Sequence, residues 1–418
     1  MIKNIYYFLL ALLFTGQGFS QVEEVNPPEY IKTITFKSRT SSQGQLPIIR
    51  LGEAFHLEFD VLTTDEPDFY YTIEHYNYDW TRSNLVKMEY MTGFDNFRIV
   101  NYQNSFNAYQ LYSHYDLQIP NKQTRGLTKS GNYIISIFNE DEELVFSRKF
   151  MIYKEQVGVG LDIKRSRDVK YIESKQSVDI IINSGGLNLN NPKETVKTLI
   201  IQNNNLRTAI TDIKPQYTIG KELIYKYTTE TAFWASNEFR FFETKDVRGA
   251  NVGVQFIDLK DIYHSYLFLD GPRYSQPYTY NPDINGNFLI TALDTDDVDI
   301  EADYTNVHFS ILHPKLEDGE SMYVYGNFNN YALEEDLNKL SFDSSSGRYE
   351  AIIKLKQGFY NYKYVVVDKD GNLDEGKISG DFWQTENNYK VLVYYRDLGA
   401  RFDQLIGFGE ANSVNITN

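Results

Sequence analysis

SGNYIISIFNEDEELVFSRKFMIY, residues 130–153, is the stretch of this 418-residue chain that decides the fold. Apolar and polar residues alternate on both sides of a polar turn, NEDE at 139–142. Alternation with a period of two indicates a β-strand with one buried face, and two such runs around a short polar turn indicate a hairpin. We therefore predict a β-hairpin here, closing a first β-sandwich near Tyr153.

The same alternation recurs along the chain. It appears in YIKTITFKS (30–38), FHLEFDVL (55–62), FYYTIEHYN (69–77) and YTNVHFSIL (304–312). Strand candidates follow one another at intervals of about 8–15 residues, the spacing typical of β-sandwiches. The 34 Tyr and 27 Phe residues also favour sheet, because aromatic side chains pack well on a pleated, half-buried surface. The prediction is an all-β protein of tandem immunoglobulin-like β-sandwich domains.

Glycines and turn residues indicate where the domains divide. Gly158 and Gly160 follow the first hairpin and suit a linker, and the later stretch 268–290 is rich in turn dipeptides. From these features we predict a signal peptide at 1–20 and three β-sandwiches at 21–155, 156–302 and 303–418, the last with a fraying tail.

The first twenty residues, MIKNIYYFLLALLFTGQGFS, have the composition of a secretory signal peptide. Their apolar run from Ile5 to Phe14 is too short for a bilayer, which needs about 20 apolar residues. Cleavage is expected after Ser20, and no Cys follows that could take a lipid. A buried or membrane-anchoring helix is the alternative. We expect a mature chain that is exported, soluble and without a membrane span.

Charge and cysteine content narrow the possible partners. The formal net charge is −16, which disfavours nucleic acid and anionic membrane surfaces. The chain has no Cys, so its domains depend on packing rather than on disulfides. Domains of ordinary size are expected for that reason.

Carboxylates cluster in LDTDDVDIEAD, residues 293–303. The cluster contains Asp294, Asp296, Asp297, Asp299, Glu301 and Asp303. Clustered carboxylates can bind calcium, and DINGN at 283–287 adds further oxygen donors. If Asp283 were the first position of an EF-hand loop, Phe288 would stand at the sixth position, where glycine is needed. Asp294 would stand at the twelfth position, where glutamate is needed. Two interpretations stay open: a calcium site within Asp294–Asp303, or a solvated acidic linker.

Catalytic and cofactor motifs are absent from the sequence. It lacks HExxH, the GxSxG nucleophile elbow, a P-loop and a GxGxxG fingerprint. Its six His residues do not share a metal-binding helical spacing, and His308 alternates within a predicted strand. We therefore predict no catalytic, cofactor-binding or metal-binding residues and no cofactor, and we assign no residue to a partner interface.

Aromatic residues concentrate in YNYDW (76–80) and EYMTGF (89–94). Such residues can stack on sugars or form binding hot spots. Alternatively, Trp80 fills the space between two sheets and the tyrosines line one face. We favour this packing interpretation.

Two stretches near the C-terminus, MYVYGNFNNY (322–331) and GRYEAIIKLKQGFYNYKYVVVD (347–368), resemble the glycogen- and starch-binding family of immunoglobulin-like modules. The resemblance covers roughly residues 304–395. It implies a β-sandwich on which two surface indoles stack on glucose rings. Tyr331 stands where that family has the first indole, and no indole follows the second stretch until Trp383.

Further stretches occur in a fixed order along the chain. They are FYYTIEHYNYDW (69–80), EYMTGFDNFRIVNYQNSFNAYQLYSHYDLQIPN (89–121), SGNYIISIF (130–138), FLDGPRYSQPYTYNPDINGNF (268–288) and EADYTNVHFSI (301–311). In this combination they resemble the plug protein family of the type IX secretion system of Bacteroidetes, and the resemblance covers nearly the whole mature chain.

The resemblance implies a periplasmic, non-catalytic protein built of β-sandwiches. Its implied partner is the outer-membrane β-barrel translocon of the type IX secretion system, whose periplasmic mouth it would bind and seal while no substrate occupies the pore. Association with the outer membrane would then be peripheral, through the translocon. Two alternatives are a carbohydrate-binding accessory protein, using the C-terminal sandwich, and a periplasmic enzyme.

Overall fold

The structure is a computed structural model that describes residues 22–38, 46–249, 251–293, 295–414 and 416. Within these residues the regular structure consists of strands and single helical turns, so the predicted all-β class is confirmed. The predicted signal peptide and Asp294 lie outside the described residues. In the part of the chain that the structure describes, no helix has the length and apolar character needed to cross a membrane.

The first domain contains eleven strands and one helical turn. These are β1 (Ile31–Ser38), β2 (Ile48–Arg50), β3 (Phe55–Val61), β4 (Tyr70–Tyr76), α1 (Lys87–Tyr90), β5 (Met91–Gly93), β6 (Phe97–Arg98), β7 (Tyr102–Asn104), β8 (Ser113–Ile119), β9 (Thr124–Leu127), β10 (Gly131–Phe138) and β11 (Leu144–Tyr153). Its two main sheets have the orders β1-β3-β8-β7 and β2-β11-β10-β4-β6, and β5 pairs separately with β9.

The stretch 130–153 forms the predicted hairpin, since β10 and β11 pair antiparallel along their length. Tyr133, Ile135 and Ile137 are fully buried. They share one core with Phe59 of the opposite sheet. The alternation in the sequence therefore reports which face of this hairpin meets the second sheet.

The rest of the described chain adds nineteen strands, four α-helical turns and one 3₁₀ turn, Asn327–Asn329. In chain order these strands and helices are β12 (Gly158–Arg165), β13 (Lys175–Asn183), α2 (Pro192–Thr195), β14 (Val196–Gln202), β15 (Asn205–Ile210), β16 (Tyr217–Ile219), β17 (Glu222–Tyr225), β18 (Ala232–Trp234), β19 (Arg240–Glu243), β20 (Val254–Leu259), β21 (Tyr263–Leu267), β22 (Phe288–Ile290), α3 (Val298–Glu301), β23 (Tyr304–Leu312), β24 (Ser321–Tyr325), α4 (Glu335–Asn338), β25 (Ser341–Asp343), β26 (Arg348–Lys356), β27 (Gly358–Val367), β28 (Leu373–Asp374), α5 (Gly376–Ser379), β29 (Asn388–Tyr395) and β30 (Gln404–Asn412).

The second domain is assembled from two separate parts of the chain. One sheet has the order β12-β13-β17-β16, with β18 beside β13, and the other has the order β15-β14-β29-β30. β14 and β29 pair antiparallel along the whole of β14. The core between the two sheets joins Ile180 from the first part to Val391 from the second.

The third domain lies between those two parts in the sequence. Its sheets have the orders β19-β27-β22, with β24 and β28 beside β27, and β20-β21-β23-β26-β25. The predicted boundary between 156–302 and 303–418 is therefore wrong. Strands β19, β21 and β22 pair with strands beyond residue 303, β20 pairs with β21, and β29 and β30 return to the second domain. Local alternation identifies each strand but leaves its distant partner undetermined.

Each domain packs against both of the others. Between the first and second domains, Trp80 and Tyr394 belong to one buried apolar cluster. Between the second and third, the Tyr331 hydroxyl donates to the Asn203 carbonyl at 2.6 Å. Between the first and third, Lys356 pairs with Asp60. The three domains therefore form one connected body.

Candidate docking surface

The segment 86–100 of the first domain carries five large apolar side chains that are exposed to water. We call these residues the apolar edge: Val86, Met88, Phe94, Phe97 and Val100. All five side chains are exposed, from 40% for Phe97 to 86% for Met88. A group of large apolar side chains exposed to water indicates a surface that binds another macromolecule.

The topology explains why these residues share one edge. β6 is the last strand of its sheet, where Phe97 lies opposite Tyr71, and β7 is the last strand of the other sheet. The chain between them, which includes Val100, crosses from one sheet edge to the other. Phe94 follows directly after β5 and donates its backbone N–H to the Gln123 carbonyl at 3.0 Å.

Polar contacts hold this segment against the sandwich. The Asp95 carboxylate accepts the backbone N–H of Ile73 at 2.8 Å and pairs with the Lys87 ammonium at 2.6 Å. Asp95 directly follows Phe94, and Lys87 directly precedes Met88. These bonds tie the backbone of the apolar edge to β4, so its apolar side chains remain on the outside.

Charged residues surround the apolar edge. Arg98 pairs with Asp68 at 2.8 Å, and the Glu89 carboxylate contacts the Arg401 guanidinium. A central apolar patch with a polar rim is the usual composition of a protein–protein interface. Because β6 and β7 end their sheets within the described residues, their outer backbone groups can also accept an added strand.

Tyr331, the residue at the sugar-stacking position, is buried between the third and second domains. It is 3% exposed and has a left-handed backbone, with φ of 53°. Its ring packs 4.9 Å from that of Tyr325. A Cβ added to Gly286, whose φ is 80°, would lie 2.6 Å from the Tyr331 hydroxyl. The Tyr331 ring therefore has no face open to a sugar.

Two indoles lie near the boundary of the second and third domains. Trp383 is half-buried, and the Arg165 guanidinium sits 4.6 Å above its ring. Trp234 is 48% exposed and lines a cleft of about 610 Å³ that Leu373 and Asp374 also line. Trp234 lies in the second domain and outside the stretch that resembles the glycan-binding module, so that resemblance does not indicate it, whereas Trp383 lies within the stretch.

Several carboxylates of the acidic cluster accept hydrogen bonds within the protein. Asp303 accepts the backbone N–H groups of Tyr109 at 3.0 Å and Gln110 at 3.2 Å, both from the first domain. Asp297 accepts the N–H of Asp299 at 3.0 Å and caps α3. The cluster therefore contributes to the contact between the first and third domains.

Among the described residues, two groups of carboxylates with a histidine have the spacing of metal ligands, and Glu58 belongs to both; the first consists of His56, Glu58 and Asp116. Glu58, His114 and Asp299 place ligand atoms within 4.8 Å of one another. The Lys37 ammonium already lies 2.6 Å from Glu58 and 3.2 Å from Asp299. Its positive charge balances these carboxylates, and we interpret the group as an ion-pair network.

The packing interpretation of Trp80 requires one change. Trp80 is 8% exposed, as expected for a packed residue. Its cluster includes Leu199 and Leu392 of the second domain, so it fills the contact between two domains instead of the space between two sheets. The Lys149 ammonium lies 4.7 Å from the indole ring. Tyr90, by contrast, is part of the first-domain core.

Sequence reasoning missed most of the apolar edge. It singled out EYMTGF as aromatic but gave no role to Phe97 or Val100. The available signal was the loss of strict alternation in FDNFRIV, residues 94–100, where large apolar residues stand in a loop-like context.

Comparisons with known families agree with both resemblances. Residues 31–154 match the family described as "Type 9 secretion system plug protein 1st domain". Residues 315–394 match the family described as "Glycogen recognition site of AMP-activated protein kinase". No curated protein matches the chain.

A solved structure shares the whole fold. It is the crystal structure of a hypothetical protein from Parabacteroides merdae, 32% identical, with a TM-score of 0.89, covering 94% of this chain and 100% of that one. An alpha-L-rhamnosidase from Dictyoglumus thermophilum, 7% identical, has a TM-score of 0.19 and covers 93% of this chain and 29% of that one.

Proposed function

We propose that this chain is a periplasmic plug of the type 9 secretion system, because residues 31–154 match the family described as "Type 9 secretion system plug protein 1st domain". In this proposal it binds the periplasmic mouth of the outer-membrane β-barrel translocon and seals the pore while no substrate is loaded. Its activity is occlusion, without a catalytic step. The families that match describe a plug domain and a glycan-recognition module.

The observation that carries the proposal is the position of the apolar edge. The edge lies entirely within residues 31–154, the part of the chain that matches the plug domain. Phe94, Phe97 and Met88 are the residue types enriched in protein interfaces. We therefore assign the apolar edge as the surface that contacts the translocon.

A plug must resist deformation, and the contacts between domains supply that property. A folded body of this length has a radius of gyration of roughly 22 Å. Buried ionic and hydrogen-bonded contacts connect the domains, among them Asp60 with Lys356 and Tyr331 with Asn203. The three domains would then cover the pore as one unit.

Plugging must also be reversible. An apolar centre of five side chains with a charged rim suits an interface smaller and more polar than those of obligate complexes. Strand addition at β6 or β7 would supplement it with backbone hydrogen bonds. Loading of a substrate would then displace the plug without unfolding it.

The location follows from the same proposal. A signal peptide at residues 1–20 would direct the chain to the periplasm. The mature protein would then associate with the outer membrane peripherally, through the translocon.

Affinity purification tests the proposal directly. A tagged chain, purified from detergent-solubilised envelope, should retain the β-barrel translocon. A variant with Phe94→Ser and Phe97→Ser should lose most of it, since both rings are exposed and their removal does not disturb the core. Ile352→Ser is the matched control, because Ile352 is 60% exposed on the third domain. Absence of the barrel from the wild-type purification would contradict the proposal.

Glycan binding is the second candidate, supported by the family match at residues 315–394. Burial of Tyr331 removes the one aromatic that the sequence placed at a stacking position. A sugar would have to use the cleft beside Trp234 instead. Retention of the mature chain on a soluble glucan, lost on Trp234→Ala, would favour this candidate over the plug.

A further inference from the structure

Two histidines face each other on an exposed sheet of the third domain. His264 lies on β21 and His308 on β23, which are adjacent parallel strands. His264 Nδ1 and His308 Nε2 are 2.8 Å apart. Both side chains are half-buried, and their neighbour Phe256 is 52% exposed. The pair is therefore reachable from solvent.

Neighbouring side chains fix the two rings. The Tyr266 ring stacks on His308 with centroids 4.0 Å apart, and Phe256 stacks on Tyr266 at 4.2 Å. The Asn306 side-chain amide lies 3.4 Å from His264 Nε2.

We propose that His264 and His308 form a two-histidine site for a divalent transition metal, with Cu(II) preferred. His264 Nδ1 and His308 Nε2 share a hydrogen bond at 2.8 Å, and a metal bound to both nitrogens would take the place of the proton between them. Nitrogen ligands bind Cu(II) more tightly than Zn(II) in the usual order of first-row divalent metals. The remaining positions are open to water or to a side chain of a partner. The site is independent of the proposed plug function.

Titration of the purified mature chain with copper sulfate in a non-coordinating buffer tests the site. Calorimetry should show one equivalent of Cu(II) bound, more tightly than Zn(II) from zinc chloride. His264→Ala and His308→Ala should each weaken Cu(II) binding by about tenfold or more. The electron paramagnetic resonance spectrum should show coupling to two nitrogens in the wild type.

His313→Ala is the matched control, because His313 Nδ1 lies 2.6 Å from the Pro314 carbonyl and not beside another histidine. This variant should bind Cu(II) like the wild type. His264→Gln and His308→Gln provide replacements of similar size, with folding checked by circular dichroism. Binding unchanged in the His264 and His308 variants, or absent from the wild type, would overturn the proposal.

Discussion

The Lys356 ammonium lies 2.7 Å from the Asp60 carboxylate, and the two side chains are 1% and 0% exposed. The pair joins the third domain to the first. Burial alone would raise the pKa of Asp60, but the charge of Lys356 and hydrogen bonds from His114 and Lys356 outweigh it and lower that pKa. The Tyr304 hydroxyl also donates to Asp60 at 2.7 Å. Asp60 therefore organises the contact between these two domains.

Lys356→Met should destabilise the protein strongly. The substitution leaves the Asp60 carboxylate buried without its main counter-charge, which costs about 3–5 kcal/mol in other proteins. The free energy of unfolding in urea measures the effect. Lys339→Met is the control, because Lys339 forms a surface pair with Glu335 and should cost less than about 1 kcal/mol.

A second substitution separates charge burial from lost packing. Adding Asp60→Asn to Lys356→Met removes the orphaned charge, so the double variant should be more stable than Lys356→Met alone. Equal or lower stability of the double variant would show that the ion pair does not determine the strength of this contact.

His114 should give the stability a specific pH dependence. Burial would lower its pKa, but the hydrogen bond to Asp60, whose Oδ1 lies 2.7 Å away, and the Asp60 charge raise it above 6.5. Because the pKa of His114 is higher in the folded state than in the unfolded state, protonated His114 contributes its full stabilisation below pH 6.5. This contribution is lost as the pH rises through the folded-state pKa of His114.

The stability difference between wild type and His114→Gln measures this contribution. It should be largest in mildly acidic buffer and shrink as the pH becomes alkaline. His313→Gln is the control, since His313 contacts the Pro314 carbonyl rather than a carboxylate. A His114→Gln difference that does not change with pH would contradict the role assigned to the Asp60–His114 pair.

Tyr331 should behave as a structural residue and not as a sugar ligand. Tyr331→Phe leaves the Asn203 carbonyl without its 2.6 Å hydrogen bond, at a cost of about 1–3 kcal/mol. Tyr331→Ala should cost about 3–5 kcal/mol, as expected for a buried aromatic ring. Tyr274→Phe is the control, because Tyr274 is 57% exposed. Normal stability of Tyr331→Ala combined with lost glucan retention would support the carbohydrate function.

Local sequence patterns predicted the strands more accurately than their partners. The hairpin of β10 and β11 was predictable because its pairing is local and its alternation is unbroken. The boundary at 302 was not, because β14 pairs with β29 nearly two hundred residues later in the chain. Alternation in both strands reports only that each has a buried face.

The contacts between domains, the histidine pair and the apolar edge were less predictable than the strands. Asp60 and Lys356 are 296 positions apart, and nothing in either local sequence indicates that they meet. The same holds for His264 and His308, which alternate within their strands like ordinary surface residues. The apolar edge lies where the chain passes between two sheet edges, so its exposure depends on the tertiary fold. The family resemblance supplied the function that these patterns lacked.

Outer-membrane permeability is the most direct test of the central claim that this protein closes a channel. Entry of a bulky antibiotic would be measured in cells that lack the protein but still assemble the translocon. The account predicts increased entry, restored to normal by the wild-type chain and by Ile352→Ser, but not by the variant with Phe94→Ser and Phe97→Ser made at the same level. Unchanged entry in cells that lack the protein would contradict it.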